Sequence, residues 1–348
     1  MKTIGRMLAG LSALAVVSAT GASAEETVTL AAYSGIFQDH YMKAVVEPFM
    51  KSHPDIKVEF YGMTNSAQML GTLRAQKASP QIDAVIMDIS VAKAGTDEGL
   101  FELIDESVCA HVGDLYPAAR AEGVAGVGVT FDNLVLLYNK DQVKQAPTSW
   151  NDLWSEGYAG KVTIPAVPDI QGTTFTIIVD KMAGGTDYRQ GVEAGIARIG
   201  ELAPSVQTWD PKPDVYMPVA SGQVAVGIGW NARAQVYSDG SGGKLGVALP
   251  QEGSGFQINT INLVKGAPAS EAAKTFIDYA LSPEAQAAFS ATMFYAPTNS
   301  KTVVPDAALS RTAANDMDKM IAIDWLEVAK IRDAITEQWR RRVIPLSR

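Results

Sequence analysis

The sequence predicts an α/β protein of two lobes, each a doubly wound sheet, joined by two hinge strands. Three observations carry this. Residues 27–87 alternate strand, helix, strand, helix, strand, the order that builds a parallel sheet with helices on its faces. Residues 126–139 form an apolar run interrupted by polar groups only at Thr130, Asp132 and Asn133. That pattern suits extended chain buried on both sides, but it is longer than an ordinary strand of about 5–6 residues. A strand that leaves one sheet and enters another accounts for the length, with the crossing at Phe131-Asp132-Asn133. Residues 256–264 form a second extended run, which carries the chain back with Asn259 and Asn262 inside it. A chain of 348 residues has room for both lobes.

Taken in order, the strand at 27–32 breaks at Tyr33-Ser34-Gly35. A helix follows with Tyr41, Val45, Val46, Phe49 and Met50 on one face, stopping at His53-Pro54. A strand at 56–61 and a helix at 67–78 precede a third strand, 82–87, which runs into Asp88-Ile89-Ser90. Beyond the long run, Ser149 is placed to cap a helix on which Trp150 and Trp154 share a face. Gly160-Lys161 opens a further strand, and Asp169 to Thr173 is its terminal loop. A helix is predicted over 174–182, ended by Gly184-Gly185. The strand at 224–229 ends in Trp230-Asn231-Ala232-Arg233. Ser282-Pro283-Glu284 opens a helix, and the last helix is predicted over 313–343. In such sheets ligands bind beyond the carboxyl ends of the strands. The loops at Tyr33-Ser34-Gly35 and Asp88-Ile89-Ser90, in successive βα units, are therefore candidate binding loops.

Hydrophobic residues make up 47% and charged residues 19%, an ordinary globular composition. The net charge of -9 argues against a nucleic-acid partner, and the basic triplet Arg340-Arg341-Arg342 suits a helix end. Lys2, Arg6, the apolar run from Met7 to Val17 and Ala22-Ser23-Ala24 read as a secretory signal peptide over 1–24. The run is short of the roughly 20 residues that span a bilayer. Cleavage near Ala24 leaves a chain whose single cysteine, Cys109, allows no intrachain disulfide. No cysteine stands at the cleavage point to take a lipid, so the protein is expected free in the periplasm.

Catalytic motifs are weak. His40, His53 and His111 show no metal-ligand spacing, so no metal site and no cofactor is expected. Gly227-Ile228-Gly229-Trp230-Asn231-Ala232 fits a dinucleotide pattern poorly, because Trp stands where phosphate would approach. Ser90-Val91-Ala92-Lys93 lacks the companion motifs of a Ser-x-x-Lys nucleophile. No catalytic residue is assigned.

The exported start, Tyr33-Ser34-Gly35, the stretch Thr148-Ser149-Trp150-Asn151-Asp152-Leu153-Trp154, Gly160-Lys161-Val162 and Leu281-Ser282-Pro283-Glu284-Ala285-Gln286 together resemble the extracellular solute-binding proteins of ABC transporters. The likeness runs to their spermidine/putrescine-binding branch and covers nearly the whole mature chain. It implies a type II periplasmic-binding-protein fold with a ligand in the interlobe cleft and an inner-membrane permease as partner. Lobe 1 would hold 25–131 plus 258–318, and lobe 2 would hold 132–257 plus 319–348, in a monomer. The resemblance places Tyr33, Ser34, Gly35 and Ser90 in the site. It also places there the loop from Asp169 through Gly172 and Thr173, where that branch holds an acid for an amine, and Trp230 with Asn231. The return strand departs from the branch: polyamine binders resemble Trp-x-Asp where this chain has Gln257-Ile258-Asn259.

The expected ligand is a small organic amine, polyamine-like or an ω-amino acid; because the neutral Asn259 removes a negative charge and Arg233 adds a positive one, the narrower expectation is an amine that also carries an acid, such as 4-aminobutyrate. Asp169 or Asp88 would pair its ammonium and Arg233 its carboxylate. Tyr33, Phe37, Trp230 or Tyr295 would cover its methylenes, and Phe131 is a candidate cleft wall. The alternatives are a ferric-ion or anion binder of the same fold and a secreted enzyme on it. Iron-type relatives generally present adjacent tyrosines late in the chain, whereas Tyr295 here follows Phe294.

Overall fold

A computed structural model describes residues 26–321 and 323–347; the signal-peptide expectation lies outside the described residues. Strand β1 (Glu26–Tyr33) pairs in parallel with β2 (Ile56–Met63) on one side and with β3 (Ala84–Asp88) on the other. The crossovers are made by α1 (Ile36–Tyr41) and α2 (Glu47–Ser52), joined by a π-helical turn at Met42–Val46, and by α3 (Ser66–Ala75). Of the residues whose spacing predicted an inward face, Tyr41, Val45, Val46 and Phe49 are buried and Met50 is half-buried. Helix α4 (Ile89–Asp97) starts where β3 ends, and β4 (Phe101–Glu102) is short.

The long apolar run is one 13-residue strand, β5 (Val127–Asn139). After it come β6 (Val162–Thr163), α5 (Ile170–Met182), α6 (Glu193–Leu202), β7 (Val206–Thr208), α7 (Tyr216–Ala220) and β8 (Val226–Trp230). The chain continues through α8 (Asn231–Gly240), β9 (Leu245–Ala248), β10 (Ser254–Val264), α9 (Ser270–Ala280), α10 (Pro283–Met293), α11 (Asp306–Leu309), β11 (Met320–Ile321) and α12 (Trp325–Arg342). Hydrogen bonding runs through the strand order β2-β1-β3-β10-β5-β8-β6-β7. β5 changes partners along its length. Val127 to Asn133 pair with β10, while Leu134 to Asn139 pair with β8 and β9. β10 is the second extended run, lying antiparallel between β3 and β5.

Packing follows this change of partners. One hydrophobic cluster holds side chains up to Phe131 and again from Ile258, with Ile177 and Ala232 between, reaching Trp325 and Val328. Another starts at Leu134, includes Trp150, Phe175 and Trp230, and ends at Ile335, Trp339 and Val343. Helix α12 therefore straddles both clusters. At full burial each large apolar side chain contributes roughly 1.5–3 kcal/mol, so both clusters hold the helix in place.

Three local expectations are corrected. The Trp150–Trp154 segment is 3-10 rather than α-helical, held by a capping box between Ser149 and Asp152. Helix α5 starts at Ile170, not 174. The Asp169 side chain accepts from the Gln171 N–H at 2.7 Å and caps the first turn, so Gly172 and Thr173 are helical and buried rather than in a loop. The predicted 313–343 helix starts only at Trp325. Asp324 caps it by accepting from the N–H groups of Leu326 and Glu327, and Met320–Ile321 pair with Ser254–Gly255 as a short strand.

The fragment 25–131 contains β3 without its neighbour β10, so Ala84 to Asp88 lose the pairing with Leu263 to Asn259. Expressed alone, it should give a collapsed amide NMR spectrum and no cooperative thermal transition. Dispersed resonances with a sharp transition would contradict the interlocked topology.

Candidate functional site at the strand ends

Strand β5 also organises the polar groups. Asp132, 2% exposed, lies just before the change of partners, and its Oδ1 accepts from the N–H of Asn133 at 2.9 Å and of Ala232 at 3.0 Å. The second bond caps α8 from another strand, satisfying a donor that the helix start leaves open. It thereby fixes the first turn of α8, which carries Arg233. Tyr216 secures the other side of that junction, its hydroxyl accepting from the Trp230 N–H at 3.1 Å and donating to the Trp230 carbonyl at 3.3 Å.

Arg233 is exposed and makes no hydrogen bond or ion pair among the described residues. Burial works against its charge, yet its interactions with Tyr295, Tyr216, Asp132 and Tyr237 leave the guanidinium above its ordinary value. Tyr33 also feels its field. Burial pushes the hydroxyls of Tyr33, Tyr216 and Tyr295 well above the ordinary tyrosine value. All three are neutral phenols at neutral pH, able to donate and accept. The Tyr295 hydroxyl makes no hydrogen bond among the described residues, and its ring stacks on Phe289 at 5.3 Å.

A hydrogen-bonded network ties the neighbouring strand ends together. The Tyr33 hydroxyl donates to Asn259 Oδ1 at 3.0 Å and lies 2.8 Å from Ser66 Oγ. Asn259 Nδ2 donates to Thr130 Oγ1 at 3.0 Å, and the Asp88 N–H donates to Ser66 Oγ at 3.0 Å. Gln257 is half-buried two residues before Asn259, on the same face of β10, with no hydrogen bond among the described residues. Ser34 and Gly35 are exposed at the end of β1. Gly35 has φ 73° and open space where a Cβ would stand, a conformation that favours glycine.

Other expected site residues have different environments. Phe131 is fully buried and stacks on Phe256 at 5.0 Å, so the half-buried Phe256 stands where a wall residue was expected. Phe37 is 1% exposed within an aromatic group with Tyr41, Phe289 and Tyr295. Asn231 is occupied internally: its amide donates to the carbonyls of Phe294 and Arg311 and accepts from Gln235. The Trp230 ring lies in the second cluster. Thr173 bonds back to the Asp169 carbonyl, and a Cβ on Gly172 would meet the Pro165 carbonyl at 2.4 Å, so both serve helix packing. Asp169 is exposed, yet desolvation raises its carboxyl, as happens to an acid on a concave wall. Among the described residues, no hydrogen bond or ion pair joins it to Arg233.

Asp88 accepts at Oδ1 from the Ser90 N–H at 2.9 Å and from the Ser90 hydroxyl, while its buried Oδ2 has no hydrogen-bond partner among the described residues. Sequence reasoning missed Asp132, Tyr216 and Arg332 as members of this region. The polar break at Asp132 was the available signal; nothing local marked the other two. One surface hollow of about 830 Å³ is flanked by His53, His111 and Asp278; another of about 530 Å³ is flanked by Ile36, next to Gly35, and by Met217 and Tyr237.

A sheet whose strand ends converge on an unpaired guanidinium among neutral phenols is the frame of a protein that binds small molecules. The chain belongs to the bacterial extracellular solute-binding protein family, whose family model matches residues 44–316; it is a binding protein and not an enzyme. It is 25% identical over 309 residues to the gamma-aminobutyric acid-binding protein of Pseudomonas aeruginosa, covering 84% of this chain and 83% of that one. It is 23% identical to the spermidine/putrescine-binding periplasmic protein of Escherichia coli, covering 99% of each. In structure it resembles an extracellular solute-binding protein from Bordetella parapertussis, with a TM-score of 0.79 at 21% identity over 92% of this chain and 99% of that one.

Burial raises the Asp132 carboxyl from 3.8 to about 7, against the backbone bonds from Ala232 and Asn133 and the field of Arg233. Between those values the folded protein keeps a proton that the unfolded chain has released, so this group makes stability fall as pH rises through that window. Asp132→Asn keeps an acceptor and removes the titration. The wild-type melting temperature should therefore decline relative to D132N from about pH 4 to about pH 7 and then run level with it. Parallel curves throughout would contradict this assignment.

Proposed function

We propose that this protein captures a small ω-amino acid of the 4-aminobutyrate type in a cleft between two lobes. From the periplasm, as a monomer, it would deliver that ligand to an inner-membrane ABC permease. The observation that carries the ligand class is Arg233, an accessible guanidinium with no protein counter-ion among the described residues. Two parallel charge-assisted hydrogen bonds to a ligand carboxylate are its natural complement. The Tyr33 and Tyr295 phenols flank it, and Asp169 supplies an acid for the ammonium end. The two relatives, one a gamma-aminobutyric acid-binding and one a spermidine/putrescine-binding protein, support an amine. Arg233, together with Gln257-Ile258-Asn259 in place of Trp-x-Asp, favours the zwitterion over a polyamine.

The lobes in this reading are 25–131 plus 258–318 and 132–257 plus 319–348, with α12 bridging them. Ligand contacts on both lobes would favour the closed state, since only differential affinity moves such a balance.

Isothermal titration calorimetry with 4-aminobutyrate, putrescine and spermidine tests the ligand class. 4-Aminobutyrate should bind most tightly, and Arg233→Ala should weaken it by about ten- to a hundredfold, the worth of a hydrogen bond to a charged group. Tight spermidine binding that R233A leaves unchanged would contradict the zwitterion.

A further inference from the structure

Trp325, Arg332 and Trp339 stand seven residues apart on α12. Seven residues are about two helical turns, so the three side chains share a face. Trp325 lies in the first cluster and its indole N–H donates to the Phe256 carbonyl at 2.8 Å. Trp339 lies in the second cluster and donates to Thr176 Oγ1 on α5 at 2.9 Å. With both ends docked, the half-buried Arg332 is held at the seam between the clusters, where α12 meets α4. Its Nη2 approaches Ser90 Oγ at 3.4 Å. That hydroxyl donates to Oδ1 of Asp88, a residue 8% exposed whose Oδ2 has no partner.

A buried carboxylate needs a compensating positive charge. We infer that Arg332 is a specificity-determining residue: held at the seam by Trp325 and Trp339, it balances the charge of Asp88 and so withdraws that acid from ligand recognition. The inference rests on the zwitterion reading and deepens it. With Asp88 matched internally, Asp169 holds one ammonium and the site has no place for a second. Desolvation leaves the Asp88 carboxyl raised on balance; the Ser90 bonds and, after them, the field of Arg332 draw it down.

Arg332→Gln removes the guanidinium and keeps a polar side chain; Arg332→Lys keeps the charge. Calorimetry should show the ratio of putrescine to 4-aminobutyrate affinity rising by about tenfold in R332Q, a shift of about 1.4 kcal/mol. The ratio should stay near wild type in R332K and return to it in the double variant D88N/R332Q. Thermal melts confirm that each variant folds. A ligand-free readout runs beside these. The carboxyl ¹³C titration of Asp88 should move to higher pH in R332Q than in wild type.

An unmoved Asp88 titration would overturn the charge pairing. A moved titration with an unchanged affinity ratio would overturn the specificity role. Wild-type protein that binds neither ligand would overturn the ligand class proposed above, while the Asp88 titration still decides the pairing.

Discussion

A strand has two edges, and β5 uses them differently on either side of Asn133. Before that point it is bonded to β10; after it, to β8 and β9. Everything else follows from this exchange. The hydrophobic side chains on either side fall into separate clusters because each half of β5 belongs to a different set of neighbours. The burial of nearly every β5 residue is what such a position requires, with packing on both faces.

The same strand sets the chemistry of the site. Asp132 is expensive to bury, and its position is maintained by the N–H donors of Asn133 and Ala232. By capping α8 it transmits the geometry of the crossing to Arg233 one residue further on. The strand that defines the junction thus also aims the guanidinium beside it. On the β1 side of the junction, the Thr130–Asn259–Tyr33–Ser66 bonds tie β5 and β10 to the end of β1 and the start of α3. That network holds the Tyr33 phenol against a rigid floor. A ligand meeting both groups would meet two preorganised surfaces, which reduces the ordering cost of binding.

Much of the frame was legible in the sequence because it rests on one-dimensional pattern. The apolar run at 126–139 announced a doubly buried strand. What was not legible depends on which way a side chain turns and on contacts between distant segments. Phe131 and Phe256 are both aromatic, yet the stacking across paired strands decides which is covered. Asn231 looked like a strand-end ligand group, but carbonyls 63 and 80 residues further along the chain take its amide. Arg332 approaches Ser90 across a sequence separation of 242, and no local signal encodes that approach. The start of α5 was misplaced by four residues because Asp169 reads equally as loop or cap, and only the bond to Gln171 distinguishes them.

The exchange of partners along β5 makes a mechanical claim that one distance measurement decides. Spin labels at Ala78→Cys, just past α3, and Lys181→Cys, near the end of α5, place exposed probes on the two sides of the junction. Cys109→Ser removes the buried native thiol. Pulsed electron–electron double resonance then reports the interprobe distance with and without a saturating amine that calorimetry has shown to bind. A hinge at Asn133 predicts a shift to a single shorter distance on saturation. An identical distance distribution in both states would contradict it.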